Sequence, residues 1–507
     1  MCGSNLVICL GVYPKFQIVD SKFLRPARFS SSWLVEQEEK KGKMFDIAIF
    51  TTASVPWMTG TAVNPVFRAA YLANDKKIKV TLAIPWLCLE DQKLVYPNQI
   101  TFASPVEHKH YVYKWVEERT GFTSLFHILF YPGKFCTEKR SILAIGDITE
   151  LIPDENADVA VLEEPEHLTW YHHGKSWKKK FKHVVGIVHT NYLEYVKREK
   201  NKQLHAFLLK YINGWVAEIY CHKIIRLSAA TQNFPRSVIC NVHGVNPKFI
   251  NIGKLKQNLN QSAYYIGKMV WNKGYRELYQ LLMDNQTQLV DFQMDLYGSG
   301  EDSEHVKNAL RDIKLPVNIN SGRDHSDPIF HGYKVFINPS TTDVVCTTTA
   351  EALAMGKFVI CPKHPSNQFF QHMSNCRMYT NDTEFVKTTL KALSDDPAPL
   401  TQEERHELSW EAANERFLRS ADLMNYNDLS ENEAESSSTT QASSSLTLSL
   451  KTENLKKKME DASTFLHFKI SGYERMRVFL GAIPKTLEPD EELSKELRLD
   501  RLITEEG

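Results

Sequence analysis

The sequence predicts an α/β protein built from two doubly wound units that face each other across a cleft. Short runs rich in β-branched residues alternate with segments of helical spacing, which is the pattern of βαβ units and a parallel sheet. The same rhythm starts afresh after Asn246 and Pro247. A chain of 507 residues has room for two such cores and for additional segments.

The first unit is predicted over residues 44–246 and opens with a strand at Asp46–Thr52. A loop follows and then a helix at Ala62–Asn74, in which Pro65 is tolerated because it falls in the first turn. The next strand is Ile78–Ile84. The later elements of this unit are strands at Asp158–Leu162, Val184–His189 and Lys223–Leu227 and a helix at Lys202–Val216.

The second unit is predicted over residues 247–425, and a helix near residues 402–424 is a candidate to cross back onto the first unit. Its strands are predicted at Ala263–Gly267, Phe292–Tyr297, Lys334–Asn338 and Phe358–Cys361. Its helices are predicted at Tyr275–Met283, Glu304–Ile313 and Thr347–Met355. Ligands of open α/β sheets bind beyond the carboxyl ends of the strands, so the cleft between the two units is the expected site.

Three segments outside these units differ in composition. Residues 1–43 are predicted to be a leader, either transit-like or a poorly ordered extension. Residues 426–460 are rich in Ser, Thr and Glu and are predicted to be a solvated linker. Residues 461–507 regain helical spacing, with an apolar face that we expect to dock on the body or, alternatively, to face a membrane. That face consists of Phe468, Tyr473, Met476, Phe479 and Leu480.

The overall composition excludes some function classes. The 61 basic and 61 acidic residues cancel, so the net charge gives no case for a nucleic-acid partner. The nine cysteines show no metal-ligand spacing and are expected to be free thiols. No run reaches the roughly 18 apolar residues that span a bilayer, so any membrane contact is expected to be peripheral.

The strongest motif runs from Asn338 to Lys357, where a strand leads through a loop into a helix. The helix start around Thr347, Thr348 and Thr349 offers backbone N–H groups, which suit a diphosphate. Two carboxylates, Asp343 and Glu351, flank this boundary eight positions apart. We expect Glu351 to accept hydrogen bonds from a ribose and Asp343 from the hydroxyls of a sugar, although composition alone favours an ordinary helix-surface carboxylate for Glu351.

This segment resembles the E-x7-E motif of retaining glycosyltransferases with the GT-B fold, in which two Rossmann-like domains face each other. Asp343 stands where that family usually has its first Glu. The run Tyr265 to Gly274 resembles the strand and loop whose two cations hold the donor diphosphate, here Lys268 and Lys273. Both are lysines, which act as point charges rather than as bidentate forks.

Two further sequence motifs, both in the first unit, resemble those of the same family. His189 resembles the histidine beside the transferred sugar, although a lone histidine is commonly a core residue. Gly60 and Thr61 resemble the glycine loop that lets the backbone approach the leaving phosphate. The resemblance also implies a donor-binding role for Gly298 at the end of a strand. We expect no essential metal or cofactor, because no D-x-D motif precedes a metal site and the lysines supply the charge.

A closer resemblance is to plant digalactosyldiacylglycerol synthases of the shorter form. It rests on three runs, Thr51–Pro65, Gly186–Tyr195 and Ser471–Pro484. It implies UDP-galactose as donor, monogalactosyldiacylglycerol as acceptor and an α(1→6) linkage with retained configuration. It also implies a peripheral location on the cytosolic side of the chloroplast outer envelope. The alternatives are a soluble GT-B transferase for another acceptor and a catalytically silent lipid-binding homologue, which Asp343 in place of Glu favours.

A basic stretch with aromatic neighbours is the predicted membrane contact. Trp177, Lys178, Lys179 and Lys180 lie together, and lysines are attracted to anionic lipid while tryptophan suits the headgroup region. The alternative is a solvated loop, since charge runs commonly face water.

Overall fold

The computed structural model describes residues 44–191, 203–255, 258–289, 292–424, 444–479, 482–488 and 490–497. The predicted leader and residues 426–443 of the predicted linker lie outside these ranges, as does Leu480. The described residues form two largely parallel sheets covered by helices, which confirms the predicted fold class.

The first sheet has the strand order β4-β3-β2-β1-β5-β6-β7-β8, and only the β3–β4 pair is antiparallel among its described pairings. Its strands are β1 Phe45–Thr51, β2 Ile78–Trp86, β3 His127–Cys136, β4 Ser141–Ala144, β5 Val159–Glu163, β6 His183–Val188, β7 Lys223–Arg226 and β8 Ser237–Ile239. Its helices are α1 Gly60–Leu72, α2 Leu89–Val95, α3 Pro105–Thr120, α4 Pro165–Trp170, α5 Trp177–Lys180 and α6 Gln203–Tyr220.

Strand β1 lies in the middle of this sheet and is buried on both faces. Ile47 and Ile49 belong to the apolar cluster on one face, whereas Ala48 and Phe50 belong to the cluster on the other. Successive side chains of a strand point to opposite faces, so a strand between two helical layers must be apolar throughout. This requirement explains why the run reads as continuously hydrophobic.

Helix α1 begins at Gly60, two residues before its predicted start, so Pro65 lies beyond the first turn. Proline has no N–H and therefore leaves the carbonyl of Thr61 without its helical donor. The hydroxyl of Thr51 at the end of β1 donates to that carbonyl instead. The proline is thus accommodated by a tertiary hydrogen bond that the sequence does not reveal.

The second sheet is parallel and has the order β11-β10-β9-β12-β13-β14. Its strands are β9 Asn260–Ile266, β10 Met294–Tyr297, β11 Val317–Asn320, β12 Tyr333–Ile337, β13 Phe358–Pro362 and β14 Cys376–Tyr379. Its helices are α7 Pro247–Gly253, α8 Tyr275–Asp284, α9 Ser303–Leu310, α10 Thr347–Ala354, α11 Asp382–Ser394 and α12 Gln402–Leu408.

The chain then returns to the first unit through α13, Trp410–Ser420. Trp410 stacks on Phe67 and Tyr71 of α1, with ring centroids 5.5 and 6.2 Å apart. Phe417 lies in the same apolar cluster. Aromatic stacking and burial on this scale anchor the second unit to the first.

The C-terminal helices differ from the sequence expectation. Helices α14 Ser444–Ser471, α15 Glu474–Phe479 and α16 Glu491–Glu496 close the described chain. Residues 444–460, predicted to be part of a linker, are therefore helical. Most of the expected docking face points away from the body, because Tyr473, Met476 and Phe479 are exposed; Phe468 is 39% exposed and stacks on the ring of His173 with centroids 4.2 Å apart. The described side chains that α14 and α15 bury are polar, namely His467, Ser471 and Arg477, whereas α16 buries Leu493.

Candidate active site

Two adjoining cavities of about 720 and 620 Å³ occupy the cleft between the carboxyl ends of the two sheets. Both are walled by residues of the first unit, such as Met58 and His243, and of the second, such as Gly267 and Val345. Most predicted catalytic and donor-binding residues line one or both cavities: Gly60, Thr61, His189, Lys268, Lys273, Asp343, Thr347, Thr348 and Glu351.

His189 follows β6 and is held by a buried carboxylate. Its Nε2–H donates to Glu163 at the end of β5, and Arg68 Nε donates to the other oxygen of Glu163 at 2.8 Å. Burial alone would raise the pKa of Glu163, but Arg68 and His189 lower it to about 2. The carboxylate is therefore ionised, and it fixes the ring orientation of His189.

Arg68 of α1 is fully buried and receives support from several elements. Its Nη1 donates to the carbonyl of Val242 at 3.0 Å, and its guanidinium lies 4.9 Å from the ring centroid of Phe417. His243 packs against His189 with ring centroids 4.9 Å apart, and burial holds the pKa of His243 well below its usual value. Neutral His243 therefore adds no competing charge beside the Arg68–Glu163 pair.

Lys273 and Asp343 form an ion pair on the opposite wall, with Nζ and Oδ1 3.2 Å apart. The loop that carries Lys273 ends at Gly274, whose φ of 91° is costly for other residues. A Cβ at Gly274 would also lie 3.0 Å from the backbone nitrogen of Ser340. Glycine therefore allows this loop to approach the Asp343 loop closely.

The start of α10 contributes Thr347 and Thr348 to both cavities. The first N–H···O=C bond of this helix runs from Ala350 to Cys346 at 3.3 Å, so the N–H groups of Thr347 and Thr348 precede it. Thr349 differs, because its side chain is buried and accepts a hydrogen bond from Asn338 Nδ2 at 3.0 Å. The Thr349 hydroxyl therefore does not line the cleft, and the predicted donor-binding role of this residue, which was assigned to backbone N–H groups, stays a prediction.

Glu351 lines the larger cavity and is held by a relay that the sequence did not suggest. His325 Nδ1–H donates to Glu351 Oε2 at 2.7 Å, and the hydroxyl of Tyr264 lies 2.8 Å from His325 Nε2. Arg323 and Asp324 line the same cavity. Their position in the chain could have indicated a role in the site, because Arg323, Asp324 and His325 follow β11 at the carboxyl edge of the second sheet.

Further cations that the sequence analysis missed lie beside Lys268. Lys139 and Arg140, in the β3–β4 turn, line the smaller cavity together with Lys268 and Lys273. Glu301 accepts from Lys268 at 3.0 Å and also pairs with Arg140. Partial burial lowers the pKa of Lys268, and the neighbouring Arg140 and Lys273 add to this effect. The smaller cavity therefore concentrates positive charge.

Gly298 is not among the residues that line the two cavities, and its predicted role in donor binding stays a prediction. A Cβ at this position would lie 2.1 Å from the carbonyl oxygen of Gly267. Gly298 is therefore required for close packing between the ends of β9 and β10, which supports the Lys268 loop from behind.

The predicted membrane contact is wrong for Trp177. Its side chain is fully buried and packs edge-on against Phe50 of the central strand, with ring centroids 4.9 Å apart. Lys178 Nζ donates to the carbonyl of Glu218 at 2.8 Å and Lys180 pairs with Asp154, and both side chains are largely covered. Lys179 is exposed but pairs with Asp461 at 3.2 Å. This stretch holds helices together and is not an open basic patch.

No helix among the described residues combines the length and apolar character that crossing a bilayer requires. Within the same ranges, no three His, Cys, Asp or Glu side chains are grouped as a metal site needs.

A profile of the family described as "Glycosyl transferases group 1" matches residues 260–395. "Digalactosyldiacylglycerol synthase 2, chloroplastic" of Glycine max is 60% identical over 461 residues, 89% of this chain and 97% of that protein. Its namesake from Arabidopsis thaliana is also 60% identical, covering 89% and 96%. "Digalactosyldiacylglycerol synthase 1, chloroplastic" of Glycine max is 53% identical, covering 89% of this chain and 59% of that one.

Proposed function

From the premise that this chain belongs to the digalactosyldiacylglycerol synthase family, we propose that it transfers galactose from UDP-galactose to monogalactosyldiacylglycerol. The chain is a glycosyltransferase of galactolipid synthesis. Its donor is a nucleotide sugar, and the proposal specifies UDP-galactose. The product is digalactosyldiacylglycerol with an α(1→6) bond and retained anomeric configuration.

The observation that carries the proposal is the charge distribution of the smaller cavity. Lys268 and Lys273 line it from the second unit together with the start of α10, and Arg140 and His189 line it from the first unit. A departing UDP gains negative charge as the bond to the sugar breaks. Fixed cations and helix N–H groups stabilise such charge most strongly where water is partly excluded.

Each residue has a distinct part in this reaction. Glu351 accepts hydrogen bonds from the ribose in the larger cavity, and Asp343 accepts them from the hydroxyls of galactose. His189, oriented by Glu163, hydrogen-bonds the sugar or the leaving oxygen. Gly60 and Thr61 at the start of α1 let the backbone approach the phosphate beside the sugar.

The reaction exchanges one bond of the anomeric carbon of galactose for another. The bond between galactose C1 and the phosphate oxygen of UDP breaks, and a bond forms from C1 to the acceptor's primary hydroxyl oxygen. The proton of that hydroxyl passes to the departing phosphate. Retention then requires that the acceptor attack from the face that UDP leaves, so no side chain has to act as a covalent nucleophile.

The location follows from the acceptor and from the family. The relatives are named chloroplastic, and we propose that this protein acts peripherally on the cytosolic side of the outer envelope. Anionic lipid of that membrane is the proposed attachment partner. The acyl chains of the acceptor then stay in the bilayer while its sugar head enters the cleft.

The direct test is incubation of the purified full chain with radiolabelled UDP-galactose and a panel of acceptors. We expect label in a digalactosyl lipid when monogalactosyldiacylglycerol is present, and release of that label by α-galactosidase. Glu351→Ala should abolish donor binding, whereas Glu304→Ala on the exposed face of α9 should leave it intact. Label in a sugar acceptor instead would indicate the soluble-transferase alternative. Folded protein that labels nothing would indicate the silent homologue.

A further inference from the structure

Helices α14 and α15 expose an unusual amount of apolar surface. Phe479 is 82% exposed, Tyr473 65% and Met459 64%. We call the set the C-terminal apolar surface: Leu455, Met459, Phe465, Leu466, Phe468, Tyr473, Met476, Val478 and Phe479. Large contiguous apolar surfaces on a folded protein mark sites of contact with another body.

The opposite face of α14 contacts the body through polar side chains. His467 is buried, with its Nδ1 2.8 Å from the hydroxyl of Tyr220 and its Nε2 3.1 Å from the carbonyl oxygen of Trp170. Ser471 Oγ lies 3.1 Å from His173 Nδ1. An amphipathic helix normally turns its apolar residues inward, whereas Leu455, Met459 and Leu466 of α14 are exposed. Phe468 is partly exposed and also stacks on the ring of His173.

Ion pairs fix the same orientation. Glu460 pairs with Lys178 at 3.3 Å and with Arg236 at 3.1 Å, and Asp461 pairs with Lys179 at 3.2 Å. Buried Arg477 of α15 donates to the carbonyl of Tyr171. The helices are therefore held with their apolar residues outward by specific contacts on both sides of the apolar surface.

Basic residues accompany the surface along α14, whereas acidic residues gather beside α15, where Glu474 lines a cavity with Glu488, Asp490, Glu491 and Glu492. Lys456, Lys457 and Lys458 lie between Leu455 and Met459 on α14, and Lys469 and Arg475 lie further along the surface, all of them exposed. The acidic residues Glu460 and Asp461 are already paired with the body. Each exposed Lys or Arg near an anionic membrane adds to the electrostatic attraction. An outward apolar face with basic neighbours is the pattern of helices that lie in the membrane interface.

We propose that the C-terminal apolar surface is the surface by which this protein lies on an anionic lipid bilayer. The inference rests on the proposed function, in which the acceptor is held in a membrane. A lipid bilayer is favoured over a second copy of this chain, because pairing two such surfaces would bring the lysines of both copies together. The four aromatic side chains also suit the headgroup region, where rings are enriched.

The test is flotation of the purified full chain with phosphatidylcholine vesicles, with or without phosphatidylglycerol. We expect binding that increases with phosphatidylglycerol. Phe465→Asp combined with Phe479→Asp should lower the bound fraction by about tenfold or more, because each buried Phe contributes a factor of that order. The matched control is Leu125→Asp, which changes an apolar side chain that is 81% exposed before β3 and should bind as the wild type does.

Charge reversal provides an independent variant. Lys456→Glu, Lys457→Glu and Lys458→Glu together should remove the dependence on phosphatidylglycerol while leaving the melting temperature unchanged, since all three side chains are exposed. All variants should keep wild-type transfer to an acceptor dispersed in detergent, because none of these residues lines the cleft.

The outcomes separate this inference from the proposed function, because flotation requires no turnover. Undiminished flotation of the Phe465 and Phe479 double variant would overturn the membrane surface. A fall in its solution mass with unchanged flotation would show that the surface pairs two copies. A wild-type protein that galactosylates dispersed acceptor but never floats would leave the enzyme assignment intact and refute the surface.

Discussion

The two walls of the cleft hold their charged residues in different ways. On the wall of the first unit, the side chains of Arg68 and Glu163 are both fully buried, and that of His189 is 5% exposed. On the wall of the second unit, Lys273 is 37% exposed and its partner Asp343 is 19% exposed. Beside the smaller cavity, Arg68, Glu163 and His189 thus form a closed network, whereas Lys273 and Asp343 form a pair that solvent or a ligand reaches.

This difference indicates different roles. A buried ion pair keeps its geometry only while both partners remain, since either charge alone is costly to bury. Half-exposed pairs exchange partners at little cost, so a diphosphate can take the place of a carboxylate beside a lysine. We infer that the network of the first wall positions His189, and that the exposed pair of the second wall binds and releases the donor diphosphate.

The largest effect is expected from breaking the buried pair. Arg68→Met removes the cation but leaves Glu163 in the core, and the free energy of unfolding should fall by about 3–5 kcal/mol. The measurement is thermal unfolding of the purified protein, followed by intrinsic fluorescence.

The double variant Arg68→Met with Glu163→Gln is the control, because it removes both charges. It should recover much of the lost stability while activity stays low, since the carboxylate that orients His189 is gone. If Arg68→Met melted as the wild type does, the pair would carry little stability and the contrast between the walls would fail.

The second prediction concerns the exposed wall. Lys273→Ala should lower kcat by about 10²-fold or more, the size typical of losing one preorganised stabiliser of transition-state charge. The melting temperature should change little, because the pair with Asp343 is partly exposed. Initial rates over a range of UDP-galactose concentrations separate the two parameters, and a change confined to KM would mean that Lys273 only binds the donor.

Residues that follow strand ends were predictable from the sequence. Asp343 follows a recognisable strand, and in a parallel fold the carboxyl ends of strands meet at one edge. Arg68 and Glu163 were missed because they are 95 residues apart and nothing local pairs them. Trp177 was misassigned because lysines surround it in sequence, whereas its own burial under β1 depends on tertiary packing. The apolar face of residues 461–507 was recognised from the sequence, but its choice between docking on the body and facing outward likewise depends on tertiary packing.

The smallest effect is expected from Glu301, which neutralises two cations at the mouth of the smaller cavity. Glu301 pairs with Lys268, and their side chains are 46% and 55% exposed, so the pair is worth at most about 1 kcal/mol. Glu301→Gln should therefore lower KM for UDP-galactose by about fivefold at most and leave kcat unchanged, because it raises the local positive potential. High salt should erase the difference. Glu304→Gln, which removes an exposed carboxylate paired with Lys307 nearby in sequence, is the matched control and should change neither parameter. A higher KM in Glu301→Gln would mean that Glu301 itself contacts the donor, and the second wall would then not be the exchangeable one.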